Sequence, residues 1–391
     1  MTIQWPSTGP ERPRTIIVGA GVNGLAMAWR LAQAGCEVDV YDRGQPGRGA
    51  SWAAAGMLAA SAEAEPGEAE LVALARSSQS MWPAFAAELL GTTGIDPEYR
   101  ETGLIVAATN RDEAEKLRFD FDYQQRLGLD TRWLSPAELR REEPHLRSGV
   151  TAGIASPGDH QVDNRKLVVA LLSAARRAGA RVHEHTPVER VETEAGRATG
   201  VVVGGQHRRA DAVVITAGPW TAEIEGVPGS ARPPVRPIKG QMLSLRMEAS
   251  RPLVRHILWA PTVYMVPRAD GRLLIGGTVE ERGFDDTLTA GGIYALLEAA
   301  WRAVPGIEDL PIDEMWVGFR PGSRDDAPIL GESDVAGLWM ATGHHRNGIL
   351  LAPLTGAAMA HELLGGEPLP ELAAFAPGRF RTAALAAPGG M

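Results

Sequence analysis

The sequence predicts an α/β fold in which a doubly wound, mostly parallel unit is interrupted by a mostly antiparallel β-sheet. The first observation is a strand, a glycine-rich turn, a helix and a second strand within residues 15–42. The second is that this βαβ patterning returns in the middle and at the end of the chain. The third is that residues 95–158 and 235–318 show the alternation of half-exposed antiparallel strands instead.

The ordered part of the chain is predicted to begin with a strand–turn–helix–strand unit. Thr15–Val18 is a short apolar run that stops at Gly19, as a buried parallel strand does. Asn23–Ala34 carries apolar side chains at helical spacing and is closed by Gly35. Glu37–Tyr41 then alternates as a second strand. This arrangement is the beginning of a doubly wound sheet.

The turn of this unit matches the dinucleotide fingerprint G-x-G-x-x-G. Gly19 permits the tight turn, Gly21 lets the backbone approach a pyrophosphate, and Gly24 lets helix and strand pack closely. Asp42 ends the second strand, where a carboxylate accepts hydrogen bonds from the adenosine ribose. Arg43 next to it suggests a 2′-phosphate, but the acid at the ribose position argues against one. The pattern predicts a Rossmann-like dinucleotide site and leaves FAD and NAD both open.

The remaining elements are predicted from apolar periodicity, caps and turns. Helices are expected from the capping box at Ser135–Glu138, over Asn164–Ala178 with Asp163 as the cap, over Thr289–Val304, and from the Gly343 turn to Leu364. Strands are expected at Gly103–Ala107, Val188–Glu192, Thr199–Val203, Asp211–Thr216, Val235–Arg246, Val263–Val266, Arg272–Ile275, Met315–Phe319 and Leu338–Ala341. The pattern predicts a discontinuous dinucleotide domain at residues 14–94, 159–234 and 319–380, a substrate domain at 95–158 and 235–318, and flexible tails at 1–13 and 381–391.

Composition and charge narrow the function classes. The chain has 391 residues, with 39 Lys and Arg against 48 Asp and Glu, and a formal charge of −9, which argues against nucleic acid as a partner. The single cysteine, Cys36, excludes an intramolecular disulfide and a cysteine-clustered metal site. Residues 1–14 lack the apolar core of a signal peptide, and the longest apolar stretch, Gly348–Ala360, is too short to span a bilayer. We expect a cytoplasmic protein with no metal and no membrane insertion.

Four longer motifs are more specific than the glycine fingerprint. They are ASWAAAGML at Ala50–Leu58, YMVPR at Tyr264–Arg268, GFRPG at Gly318–Gly322 and ATGHHRNGILLAP at Ala341–Pro353. Together they resemble the FAD-dependent glycine oxidases of thiazole (thiamine) biosynthesis, within the D-amino-acid oxidase and sarcosine oxidase superfamily. The resemblance covers about residues 14–380 and favours FAD over NAD.

The resemblance implies a flavoprotein oxidase that acts on a small amino acid. Glycine would lose a hydride to noncovalently bound FAD, and the imine product would be hydrolysed to glyoxylate and ammonia. O2 would reoxidise the cofactor and yield hydrogen peroxide. The imine would also supply dehydroglycine for thiazole formation, which implies a functional link to thiazole synthase. Sarcosine and small D-amino acids remain candidate substrates, and whether the chain forms a homo-oligomer is left open.

The resemblance also assigns roles to individual residues. Arg320 would bind the substrate carboxylate, Tyr264 would assist it, and Arg346 and Met57 would be further substrate contacts. With the fingerprint, the predicted cofactor contacts are Gly19, Gly21, Val22, Asn23, Gly24, Asp42, Arg43, Ala50, Ser51, Ala55, Gly56, Met57, Val188, Gly218, Gly343, His344, His345, Arg346, Asn347, Gly348, Ile349 and Leu350.

The chemistry of these side chains agrees with the assignments. A planar guanidinium orients a carboxylate through two charge-assisted hydrogen bonds, and Arg320 follows the strand Met315–Phe319 at the edge where ligands gather. Tyr264 is as readily explained by packing within an amphipathic strand. His344 and His345 are adjacent on one loop, which makes them poor joint metal ligands.

Two departures from the family pattern and two rival functions stay open. Thr262 stands where some relatives have His, and Val279 stands where some have Met, so the pocket shape is uncertain. Cys36 lies in the first helix–strand turn and not in the C-terminal half, where the thioether of sarcosine oxidases forms, so the flavin is expected to be noncovalent. The rivals are an FAD-dependent dehydrogenase that passes electrons to a quinone or a partner protein, and a non-catalytic dinucleotide-binding protein.

Overall fold

The computed structural model describes residues 12–380, so the predicted tails lie outside the described residues apart from residues 12 and 13. The helices within this range are α1 Val22–Gln33, α2 Ala50–Ala53, α3 Ala69–Thr93, α4 Arg111–Arg126, α5 Pro136–Glu142, α6 Asn164–Arg177, α7 Ala290–Ala303 and α8 Ala352–Leu363. Short 3-10 helices cover Gly218–Glu223, Pro305–Asp309 and Pro370–Phe375.

The strands form two large sheets and two small ones. They are β1 Thr15–Val18, β2 Val38–Tyr41, β3 Met57–Leu58, β4 Leu104–Ala108, β5 Arg132–Leu134, β6 Ala152–Ser156, β7 His160–Gln161, β8 Arg181–His183, β9 Arg190–Glu194, β10 Arg197–Val203, β11 Gln206–Arg209, β12 Ala212–Ile215, β13 Arg236–Arg246, β14 Ile257–Ala260, β15 Val263–Pro267, β16 Arg272–Gly276, β17 Ile312–Gly322, β18 Ile329–Glu332 and β19 Leu338–Thr342.

The first large sheet is the predicted doubly wound one. Its six strands run in the order β18-β19-β12-β1-β2-β8, and every pair except β18–β19 is parallel. The apolar run Thr15–Val18 is buried along its whole length because strands and helices cover it on both faces. Helix α1 packs between α6 and α8 on this sheet, and their buried faces form the largest apolar cluster of the described residues.

The second large sheet is the predicted antiparallel one. Its eight strands run in the order β17-β13-β16-β15-β14-β4-β6-β5, and only β14–β4 is parallel. The predicted α/β fold class, with a doubly wound unit and a mostly antiparallel sheet, is confirmed. The expected domain boundary at residue 319 falls inside β17, whose whole length pairs with β13. The exact division into domains therefore stays a prediction.

The structure adds three helices, the short α2 among them, and moves the start of another. Helices α2, α3 and α4 were not predicted from the sequence. Helix α8 begins at Ala352 and not at the Gly343 turn, because Gly343 and His345 have positive φ and Pro353 occupies the first turn, where a proline is favoured. Residues 343–351 therefore form a loop.

Neither a metal site nor a membrane span is found in residues 12–380. In this range no helix combines the length and the apolar content needed to cross a bilayer. The same residues contain no group of three or more His, Cys, Asp and Glu side chains placed to hold a metal ion.

Candidate active site

Both large sheets contribute to the wall of one cavity of about 740 Å³, a volume typical of small-molecule sites. All predicted site residues except Gly24, Gly343, Asn347 and Leu350 line it. The predicted residues in the wall are Gly19, Gly21, Val22, Asn23, Asp42, Arg43, Ala50, Ser51, Ala55, Gly56, Met57, Val188, Gly218, Tyr264, Arg320, His344, His345, Arg346, Gly348 and Ile349. Thr262 and Val279, the two departures from the family pattern, line it too.

The glycine-rich turn is built by close backbone approach. Gly19 has a φ of +110°, and a Cβ there would lie 2.6 Å from the carbonyl oxygen of Thr216. A Cβ on Gly24 would lie 2.1 Å from the carbonyl oxygen of Gly19. Gly24 therefore lets α1 pack directly against the turn. Because Gly24 faces the turn, it is absent from the cavity wall. The predicted packing role of this glycine agrees with these distances.

Asp42 joins the turn to the next loop. Its Oδ2 accepts a hydrogen bond from the Ala20 amide at 2.8 Å, and its Oδ1 accepts one from the Gly44 amide at 2.8 Å. An ionised carboxylate has about four acceptor positions, so it retains capacity for a ribose hydroxyl. The Arg43 guanidinium lies 3.8 Å from the centre of the Trp220 ring. Stacking on Trp220 thus gives Arg43 a role that the sequence did not indicate.

Four buried polar atoms in the cavity wall have no hydrogen-bond partner among the described residues, and two of them, Nε of Arg346 and Oε2 of Glu63, form an ion pair with each other. Two others remain. They are Oδ1 of Asn23, at the start of α1, and Nδ1 of His345, in the loop before α8. Nδ2 of Asn23 donates to the carbonyl oxygen of Gly348, so its amide is already oriented by that loop. Because buried polar atoms are normally satisfied, these two indicate that the cavity takes a polar ligand.

Burial keeps both adjacent histidines neutral. It lowers the pKa of His344 to about 3, and Nε2 of this side chain lies 3.2 Å from Oγ1 of Thr355. Burial also lowers the pKa of His345 to about 4, against the opposing charge of Asp326. Neither ring is therefore a cation at neutral pH, so the positive charge in this part of the wall comes from arginine.

The small-residue segment Ser51–Met57 is held by a buried arginine that was not assigned a role from the sequence. Arg268 is 5% exposed, and its guanidinium donates to the carbonyl oxygens of Ala55 and Val162 at 2.7 Å each. It also donates to the side chains of Gln161 and Asn164. Arg268 is the last residue of the YMVPR motif, so that motif was the one sequence signal that could have identified it. The arginine connects the cavity wall to the eight-stranded sheet.

We expect Arg268→Met to lower the free energy of unfolding by about 3 kcal/mol, because it leaves buried carbonyl oxygens without donors. Thermal unfolding of the purified protein measures the change. The matched control is Arg111→Met, whose side chain is 89% exposed and which should change stability by less than about 0.5 kcal/mol. Equal melting temperatures for the two variants would show that Arg268 does not hold the segment Ser51–Met57 in place.

Arg320, on the edge strand β17 of the antiparallel sheet, and Tyr264, on β15, lie close to each other in the cavity wall. Nη1 of Arg320 donates to the carbonyl oxygen of Thr278 at 2.9 Å. Its guanidinium rests against backbone, since a Cβ on Gly240 would lie 2.7 Å from Nη1. Burial raises the pKa of Tyr264, although the nearby charge of Arg320 partly offsets this, so the phenol stays protonated. No carboxylate of residues 12–380 comes within 4.0 Å of Arg320 to form an ion pair, and its side chain lines the cavity.

Arg346 also reaches the cavity, but it is surrounded by carboxylates of the segment before α3. Its Nε lies 3.0 Å from Oε2 of Glu63, an ion pair without hydrogen-bond alignment. Its Nη2 lies 3.3 Å from Oε1 of Glu65 and 3.0 Å from Oε2 of Glu68. The structure thus brings the predicted second substrate contact to the site in an already paired state.

Glu63 is an ionisable group of the cavity wall that the sequence did not indicate. Burial raises the pKa of Glu63 to about 7, and the charge of Asp159 adds to the rise. The charge of Arg346 opposes the rise, but this arginine also pairs with two other carboxylates. Below the ordinary Glu pKa of about 4.5 both the folded and the unfolded chain hold this proton. As pH rises toward 7 the unfolded chain releases it first, so the contribution of Glu63 to stability falls.

We therefore expect the unfolding free energy of Glu63→Gln, measured relative to the original protein, to increase between pH 5 and pH 8. The increase should be roughly 2 kcal/mol. The variant lacks the carboxyl group, which ionises less readily in the folded protein than in the unfolded chain and so destabilises the original protein as the pH rises. Denaturant unfolding of both proteins across this range gives the difference. A difference that does not change with pH would show that this carboxyl titrates alike in both states.

Comparisons with known proteins agree with the geometry of the cavity. Residues 14–362 match the family model described as FAD dependent oxidoreductase. The chain is 39% identical to the glycine oxidase of Geobacillus kaustophilus over 92% of this chain and 95% of that protein. The crystal structure of glycine oxidase from that organism superposes with a TM-score of 0.88, at 37% identity, and covers 94% of this chain and 99% of its own.

A longer relative is the bifunctional protein ThiO/ThiG of Trichormus variabilis. It is 36% identical over 95% of this chain but only 56% of its own length, so the chain spans about half of that protein. The family match covers the whole of the cavity wall described above, including the glycine-rich turn, Arg320 and the loop at residues 343–351. This chain belongs to the family of FAD-dependent oxidoreductases, as the resemblance implied.

Proposed function

We propose that the protein oxidises glycine to its imine, which water converts to glyoxylate and ammonia, with FAD as the cofactor and O2 as the final acceptor. When bound, FAD supplies the two-electron acceptor that the amino acid needs and that no protein side chain provides. The observation that carries the proposal is Arg320, a guanidinium in the cavity without a carboxylate partner among residues 12–380. An amino-acid carboxylate is the ligand that fits it.

The cavity wall fits FAD in two ways. The turn at Gly19 and Gly21 brings backbone close to the cavity, and the N-terminus of α1 offers its partial positive charge to a pyrophosphate. The unsatisfied Oδ1 of Asn23, at that same N-terminus, and Nδ1 of His345, in the loop before α8, supply further polar atoms in the wall. Cys36 is buried in the α1 cluster and is not among the cavity-lining residues, which supports noncovalent binding.

The chain's own contribution to the reaction is orientation. Arg320 would hold the carboxylate with two parallel hydrogen bonds, and the protonated phenol of Tyr264 would add a third donor beside it. The walls formed by Met57, Val279 and Thr262 would then limit the size of the α-substituent. Hydride transfer from the substrate needs no carboxylate or imidazole as an obligatory base, but the substrate amine must be neutral to assist the reaction. The rate should therefore rise with pH through a substrate-like ionisation.

We also propose that the imine passes to a thiazole synthase. The support is the bifunctional ThiO/ThiG relative, of which this chain matches about half. An imine that hydrolyses in water gives a reason for a consuming enzyme to act close to the site where the imine forms.

The experiment is an anaerobic titration of the purified holoenzyme with glycine, sarcosine and D-alanine, followed through the flavin absorbance. Glycine is expected to remove the absorbance band at the lowest concentration, and air should restore it with release of one hydrogen peroxide per glyoxylate. Loss of absorbance with no peroxide on aeration would favour the dehydrogenase alternative. No loss of absorbance with any amino acid would favour a non-catalytic dinucleotide-binding protein.

A further inference from the structure

Arg320 and Arg346, two of the arginines that line the cavity, are in opposite electrostatic states. Arg346 lies within 3.3 Å of carboxylate oxygens from Glu63, Glu65 and Glu68. Arg320 has no carboxylate within 4.0 Å among residues 12–380, and its guanidinium donates a hydrogen bond to the backbone carbonyl of Thr278. One guanidinium can therefore accept a substrate carboxylate, whereas the other already faces three carboxyl groups of the protein.

Glu63 is the acidic side chain that connects the two. Its side chain is 10% exposed, and it lines the cavity together with both arginines. Its charge interacts with that of Arg346 and, less strongly, with that of Arg320. Glu65, in contrast, is 63% exposed, so solvent screens its charge. Glu63 is thus the carboxylate whose field is least screened inside the cavity.

We propose that Glu63 selects substrates by their charge: it rejects amino acids that carry a second carboxylate and so restricts the site to substrates that carry one. This inference rests on the proposed function, because it takes Arg320 as the carboxylate-binding residue. A second carboxylate in the cavity would find Arg346 already neutralised and would approach an ionised Glu63. Discrimination by like-charge repulsion is a common way to exclude a competing ligand.

The test uses two unreactive ligands that differ only by the second carboxylate, methoxyacetate and diglycolate. Their dissociation constants are measured calorimetrically on the holoenzyme at pH 8.5, where Glu63, with its pKa of about 7, is ionised. The original protein should bind methoxyacetate more tightly than diglycolate. In Glu63→Gln this preference should fall about tenfold, because the repulsion is removed while the shape of the side chain is kept.

The matched control is Glu65→Gln, which removes an equal charge from the same arginine at an exposed position. Its preference should stay within about twofold of the original. An unchanged ratio in Glu63→Gln, or an equal fall in both variants, would overturn the proposal. Should Glu63→Gln not fold, the original protein still decides, because equal binding of the two ligands contradicts a repelling carboxylate.

These outcomes are separable from those of the proposed function. Binding constants of unreactive ligands do not depend on whether glycine is oxidised, and methoxyacetate binding reports the carboxylate site formed by Arg320 and Tyr264. If glycine is not a substrate but the preference falls in Glu63→Gln, only the proposed reaction is wrong. If glycine is oxidised and the preference is unchanged, only the role of Glu63 is wrong.

Discussion

Arg320→Leu is expected to lower kcat/KM for glycine by at least about 100-fold, mainly through KM, while FAD remains bound. The variant loses two charge-assisted hydrogen bonds to the substrate carboxylate, each worth roughly 1.5–3 kcal/mol. It also leaves the carbonyl oxygen of Thr278 without its donor at 2.9 Å. Steady-state peroxide production with glycine measures the kinetic change, and the flavin absorbance of the purified variant measures FAD retention.

The matched control is Arg282→Leu. That side chain is 62% exposed and is 3.6 Å from Glu280, an exposed ion pair of a kind that contributes little. Glycine kinetics should change less than about twofold in this variant. Glycine kinetics of Arg320→Leu that match the original enzyme would remove Arg320 from the site. Loss of FAD from Arg320→Leu would mean that the residue supports cofactor binding instead.

The parts of the fold that could be predicted are those with local signals. The β1–α1–β2 unit follows from apolar runs bounded by glycines, and the cap at Ser135 shows both hydrogen bonds of a capping box. Helix α4 was missed because it lies on the surface: Leu117 and Gln124 are its buried residues, so no apolar stripe marks it. Helix α3 was missed because Pro83 interrupts its pattern and its apolar residues contact both α6 and α8.

The residues that form the candidate site could be predicted from motifs, but their electrostatic states could not. Arg320 and Arg346 are both arginines in specific motifs, and nothing adjacent to either in the sequence distinguishes them. The difference arises from carboxylates distant in the chain, since Glu68 is separated from Arg346 by 278 residues. The hydrogen bonds by which Arg268 holds the segment Ser51–Met57 are equally non-local, because the carbonyl of Ala55 is 213 residues away. Such pairings depend on the sheet topology and not on a local pattern.

Gly24→Ala is expected to abolish FAD retention and to lower the free energy of unfolding by about 3 kcal/mol. The added methyl would lie 2.1 Å from the carbonyl oxygen of Gly19 and 2.6 Å from Oγ1 of Thr216. The nearer atom belongs to the backbone, so α1 must move away from the turn, at the cost of overpacking. That movement displaces the helix N-terminus from the position at which it faces a pyrophosphate.

The measurements are the FAD-to-protein ratio after gel filtration and the melting temperature. Gly91→Ala is the matched control, because this exposed glycine lies inside α3 and its added methyl meets no atom within 4 Å. It should retain FAD and gain up to about 1 kcal/mol, since alanine favours a helix interior. If Gly24→Ala keeps a full complement of FAD, the close approach of α1 to the turn is not what forms the pyrophosphate site. The cofactor would then depend mainly on the side-chain contacts of Asn23, Asp42 and the loop at residues 343–351.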